Sequence, residues 1–232
     1  MAYPGDCATA DAAQWRATGP EPAGSAVRAD TYRMLARLLY APPQAPALEA
    51  LCGLQIEAQD TPLTQAWRAL AAAAAQARPA AVDDEFHTLF IGLGRGELLP
   101  YGSWYLAGAL MDRPLLRLRQ DLLRLGLVRD AAVHEPEDHA PALLQAMALL
   151  AEDPGCPPGR AKAFAQAHVL SWMPRFFQEL ADAPSARFYR AVAALGAAFL
   201  DFERRWLDLP AEAGAFVPVA APAATALGGE RT

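Results

Sequence analysis

The chain has 232 residues, 53% of them hydrophobic and 20% charged, and a formal net charge of −6. This composition suits a globular body with a substantial core, and the acidic balance argues against nucleic acid as a partner. Cys7, Cys52 and Cys156 lie far apart with no Cys-x-x-Cys, which argues against a disulfide framework or a zinc knuckle and fits a reducing, cytoplasmic setting.

No basic N-terminal region precedes an apolar run, so no signal peptide is expected. No stretch of about 20 apolar residues is free of charge and proline, so no stable membrane insertion is expected.

Residues 1–24 carry Pro4, Gly5, Gly19, Pro20, Pro22 and Gly24 without periodicity, and are expected to be a flexible N-terminal segment. Ser25 is placed to cap a helix reaching about Tyr40, with Tyr32, Leu35, Leu38 and Leu39 on its inner face and Pro42-Pro43 as its stop. A short helix is expected over Ala47–Cys52. Thr61 followed by Pro62 starts another, which runs through Trp67, Leu70 and the alanines 71–75. From Val82 a helix carries Phe86, Leu89 and Phe90 at spacings of 3 and 4.

The glycine loop, Gly92 to Gly96, then breaks the pattern. Ser103 is read as the cap of a helix over Trp104–Met111, and Pro114 as the start of one buried along Leu115, Leu118, Leu122 and Leu125. The segment His134-Glu135-Pro136-Glu137-Asp138-His139 breaks the pattern again. Asp138 is read as the cap of the helix that follows, with Leu143, Met147 and Leu150 inside. One helix is expected over Ala161–Leu180, kinked at Pro174. The last is expected over Ser185–Leu207, its core stripe made by Phe188, Val192, Leu195, Phe199, Phe202 and Trp206. Residues 210–232 are read as a disordered tail. The fold expected for residues 25–209 is all-α, a single-domain bundle of about nine to ten helices.

Neither loop passes as a catalytic site. Gly92, Gly94 and Gly96 follow a helix rather than a strand and have no Gly-Lys-Ser/Thr to hold phosphate. His134 and His139 are five apart with Pro136 between them, which is not the spacing of a zinc helix. Ser103 and Ser171 lie in no nucleophile elbow. A peptide groove fits better: Phe86, Leu89, Phe90 and Tyr101 supply apolar surface, and Glu135, Glu137 and Asp138 supply charge for arginines. No catalytic residue, metal or cofactor is assigned.

Three segments resemble the TorD/DmsD/NarJ superfamily of redox-enzyme maturation chaperones, and most closely its TorD/DmsD branch. They are Glu85-Phe86-x-x-Leu89-Phe90-x-Gly92-x-Gly94 continued by Pro100-Tyr101-x-Ser103-x-Tyr105; Glu135-Pro136-Glu137-Asp138-His139; and His168-x-x-x-Trp172 with Phe176 and Phe188-Tyr189.

The resemblance implies a non-enzymatic, TorD-like helical fold in the cytoplasm. Its partners would be the twin-arginine leader and the catalytic subunit of a molybdopterin enzyme of the DMSO-reductase family, whose cofactor insertion it aids and whose export it delays. The implied leader-binding residues are Phe86, Leu89, Phe90, Pro100, Tyr101, Glu135, Pro136, Asp138 and His139. A monomer and a domain-swapped dimer both stay open. Two rival readings remain: a metal- or nucleotide-dependent hydrolase using the His134–His139 loop, and a structural adaptor for an oxidoreductase complex.

Overall fold

The computed structural model describes residues 25–56, 58–92 and 95–207. Both expected flexible termini, with Cys7, Trp15 and Gly94, lie outside those residues. Within them the chain is a helical bundle of α1 (Ser25–Tyr40), α2 (Ala45–Cys52), α3 (Pro62–Gln76), α4 (Pro79–Phe86), α5 (Gly102–Ala107), α6 (Arg113–Arg124), α7 (Ala140–Glu152), α8 (Pro158–Phe164), α9 (Met173–Asp182) and α10 (Phe188–Trp206). Two π-helical turns, His87–Ile91 and Ala165–Val169, extend α4 and α8. The sole β-bridge among the described residues joins Tyr101 to His139.

The apolar periodicities translate directly into the core. Tyr32, Leu35, Leu38 and Leu39 are buried on α1, which packs along α7, where Leu143, Met147 and Leu150 are buried. Thr61 caps α3 as its position suggests: its hydroxyl accepts the Thr64 N–H at 3.2 Å, and the Thr64 hydroxyl accepts the Thr61 N–H at 2.9 Å. Ala66, Leu70 and Ala74 then make a narrow stripe against α10. The α10 stripe is buried at Phe188, Val192, Leu195 and Phe199, but opens to solvent at Trp206.

A buried ion pair ties the two long helices together. Arg28 of α1 donates from Nε and Nη2 to Glu203 of α10 at 2.6 and 2.7 Å, and the Tyr32 hydroxyl adds a third bond at 3.0 Å. Glu203 is 0% exposed, so all three donors are needed to replace its lost hydration.

The expected helix over Ala161–Leu180 is two helices. The π-helical turn ends in the Leu170 N–H bond to the Ala165 carbonyl, the chain turns at Leu170–Trp172, and Pro174 sits in the first turn of α9. There its missing N–H costs nothing, so the proline starts a helix instead of kinking one.

Candidate functional site

The two loops marked by sequence meet each other. The Gly102 N–H donates to the Asp138 carbonyl at 2.9 Å, and the Ala140 N–H to the Pro100 carbonyl at 2.8 Å. Tyr101 and His139 therefore stand opposite one another, with rings stacked at 4.8 Å and 22°. The Tyr101 hydroxyl donates to Glu135 Oε2 at 2.6 Å. Burial, then the neighbouring Glu135 carboxylate, hold that phenol well above its ordinary pKa. Burial lowers His139 to about 4, outweighing the opposite pull of Glu135 and Asp138, so its ring is neutral at pH 7.

Asp138 corrects the capping expectation. The N-cap of α7 is His139, and no side chain caps it. Asp138 instead caps α5, across the junction, where its Oδ2 accepts the Ser103 N–H at 2.7 Å. Its Oδ1 is buried without a partner. Ser103 is likewise not the cap of its own helix: it lies inside α5 and its hydroxyl accepts the Met111 N–H at 3.1 Å. With 3% of its surface exposed, Asp138 faces protein rather than an incoming ligand.

The first motif does similar work. The Glu85 carboxylate accepts the N–H groups of Arg187, Phe188 and Tyr189 at 2.7, 3.1 and 2.8 Å, capping α10 from a distant helix. Glu97 accepts from the hydroxyl of Ser185. Phe86 and Leu89 are buried and Pro100 is covered, while half-buried Phe90 packs edge-on against Tyr189 at 5.4 Å. Gly92 has φ +61, a conformation glycine takes without strain. Gly96 answers a different need: the backbone of Phe90 lies where its Cβ would be, at 2.5 Å. The third motif also holds structure. Trp172 Nε1 donates to the His168 carbonyl at 2.7 Å, and His168 Nε2 lies 2.8 Å from Asp121 Oδ2.

Open space begins on the other side of the second loop. A groove of about 490 Å³ runs between α1, the α6–α7 connection and α7. Ala36, Leu122, Leu127, Leu143, Ala146 and Leu149 give it an apolar lining; Tyr40 stands at one edge, and Glu135, Glu137 and His139 line it from the motif. The charge is mixed, since Arg33, Arg37 and Arg129 line it as well. Glu137 receives Arg119 at 2.9 Å and Arg129 at 3.3 Å. Burial raises its pKa, but its own backbone N–H and these two arginines outweigh that and leave it below the ordinary range.

Of the residues singled out from sequence, Glu135, Glu137 and His139 reach the groove. Tyr101 and Asp138 hold the junction behind it, and Phe86 and Leu89 belong to the core. Ala36, Arg37 and Tyr40 of α1 line the groove without a sequence motif to mark them. Their signal was slight: a large aromatic at the outer end of an otherwise regular helix. His134 is exposed while His139 is buried, and among the described residues no group of three or more His, Cys, Asp or Glu side chains is arranged to hold a metal.

Comparison with known proteins agrees with the three sequence segments. The model of the family described as "Nitrate reductase delta subunit" matches residues 56–178. The Tat proofreading chaperone DmsD of Salmonella typhi is 31% identical over 174 residues, covering 71% of this chain and 83% of that one. The chaperone protein TorD of Vibrio cholerae is 29% identical over 134 residues, covering 53% of this chain and 61% of the relative. Among other curated relatives the match spans from about half to three fifths of their length, as in the DmsD-named protein of Haemophilus influenzae at 56%. A solved chain from Archaeoglobus fulgidus, named for redox enzyme maturation, aligns with a TM-score of 0.49 at 18% identity, covering 75% of this chain and 93% of that one. On the family match and the long alignment with the Salmonella protein, the chain belongs to the TorD/DmsD branch of the TorD/DmsD/NarJ superfamily of redox-enzyme maturation chaperones.

Proposed function

We propose that this chain binds the twin-arginine leader of a molybdopterin-enzyme catalytic subunit, shields it while cofactor is inserted, and so delays export. The observation that carries the reading is the α1–α7 groove: an apolar trough with Glu135 and Glu137 of the second motif in its wall. A leader joins paired arginines to an apolar run, and such a trough offers a counterpart to each.

Glu137 is already paired with Arg119 and Arg129. A leader arginine would exchange for these partners rather than meet a bare carboxylate. Exchange leaves the number of ion pairs nearly constant, so affinity rests chiefly on the apolar segment, and the acids set register. Pro100, Tyr101, Pro136 and Asp138 act from behind the groove, by fixing the loop that carries Glu135 and His139, while Phe86 and Phe90 pack toward Tyr189 and, with Leu89, hold the core.

Calorimetry with synthetic leaders encoded beside this gene tests the reading. Binding is expected, weakened about tenfold by Tyr40→Ser combined with Leu149→Ser, two groove residues exposed enough to leave the fold intact. Folded protein that binds none of those leaders would sink the proposal. The hydrolase reading gains nothing from this geometry, since His134 and His139 do not converge.

A further inference from the structure

A second surface is left unused by this reading. Helix α6 carries Arg113, Arg117, Arg119 and Arg124 in a chain whose net charge is −6; Arg119 is bonded to Glu137 at 2.9 Å and Arg124 to Asp121 at 2.7 Å. Its buried side is Leu115 and Leu118. Its outer side is not polar throughout: Leu116 is 58% exposed and Leu123, two turns further on the same face, is 68% exposed.

Met111, 70% exposed, precedes the N-cap Asp112, while Leu116 is the fourth residue of the helix. These are the N′ and N4 positions of α6, so the methionine stands at the start of the face that carries the leucine. Met111 has φ +58, a conformation that bulky side chains rarely adopt, and the Ser103 hydroxyl holds its N–H there.

We propose that this ridge is a docking face for an anionic bilayer surface. Met111, Leu116 and Leu123 would enter the boundary between headgroups and acyl chains, and Arg113 and Arg117 would reach lipid phosphates. Charge and shape both favour this occupant. The local sign opposes that of the whole chain and complements an anionic membrane. The guanidinium fork matches phosphate, and its stem lies along apolar surface while the head stays in the wet layer. The apolar row stands on the convex outside of a helix, which needs no complementary pocket. The contact is peripheral: among the described residues no helix is long and apolar enough to cross a membrane.

The test is co-sedimentation of the full chain with large vesicles of phosphatidylcholine alone, or of phosphatidylcholine mixed with phosphatidylglycerol. Binding is expected only with the anionic vesicles and should fade as salt is raised. It should fall about tenfold in Leu116→Ser/Leu123→Ser and in Arg113→Glu/Arg117→Glu, with leader affinity unchanged in both. Leu123→Ser alone replaces the first variant if its melting temperature drops. No partition onto anionic vesicles, or equal partition of wild type and variants, would overturn the proposal. Capture of an acidic protein without vesicle binding would overturn it as well.

Discussion

Asp138 shows what one carboxylate contributes when its helix is elsewhere in the chain. One oxygen caps α5 through the Ser103 N–H, and the other is buried without a partner. Asp138→Ala should therefore destabilise the fold by about 1–2 kcal/mol, the worth of a lost cap, read from urea unfolding. The unpaired oxygen makes the lower end of that range the better expectation, because alanine also removes an uncompensated polar atom. An unchanged midpoint would show that the cap contributes nothing.

His139 carries the pH dependence. Its folded pKa is depressed to about 4 from an ordinary 6.5, chiefly by burial. A depressed group contributes stability that is present above its unfolded pKa and is lost as pH falls. Melting temperature should thus decline between about pH 6.5 and 4, with a loss on the order of 2–3 kcal/mol. His139→Phe, which keeps a ring against Tyr101, should flatten that decline; an identical slope in the variant would assign it to other groups.

At the scale of elements, the recurring device is a helix end satisfied from a distant part of the chain. Glu85 of α4 caps α10, and Asp138 before α7 caps α5. The first loop folds back on its own π-helical turn: the Glu97 and Leu98 N–H groups donate to the Thr88 and Leu89 carbonyls at 3.2 and 2.9 Å. The glycine between them and the turn makes that return possible. Gly96→Ala would put a Cβ within 2.5 Å of backbone, which cannot move aside as a flexible side chain could. It should cost about 1–3 kcal/mol by overpacking and should speed hydrogen exchange at the Glu97 and Leu98 amides. Wild-type exchange rates there would show that the loop adjusts without strain.

Over the whole molecule, α1 is held twice, by α7 along its length and by α10 through the Arg28–Glu203 pair. Because that pair is buried, removing one partner leaves the other charged and unpaired. Arg28→Met alone should cost about 3–5 kcal/mol, whereas Arg28→Met with Glu203→Leu should recover most of the loss. Denaturant unfolding of the three proteins decides this, and a double variant no better than the single would mean that Tyr32, or Trp206 whose ring lies 5.2 Å from the Arg28 guanidinium, depends on the ions. Since α1 forms one wall of the groove, the single variant should also loosen leader binding.

Sequence by itself determined most of the helices and core stripes, and the family; the break at Leu170–Trp172 and the open end of α10 at Trp206 were not legible in it. The legible features depend on periods of 3 and 4, on cap residues such as Thr61, and on motif order, all of which are local or linear. It also singled out both loops correctly as a pair. It could not say what their residues face. Asp138 preceding a helix looks like that helix's cap, because capping is read from neighbours in the chain, yet its carboxylate accepts the Ser103 N–H of α5. Phe86 and Leu89 look equally apolar whether they line a groove or fill a core, since spacing defines a helix face and not what covers it. Tyr40 looked like scaffold because α1 faces the core with one side and the groove with the other. Only tertiary packing decided those questions, the loop junction for Asp138, α10 beside α4 for Phe86, and α1 on α7 for Tyr40: burial belongs to pairs of elements, and no single segment carries it.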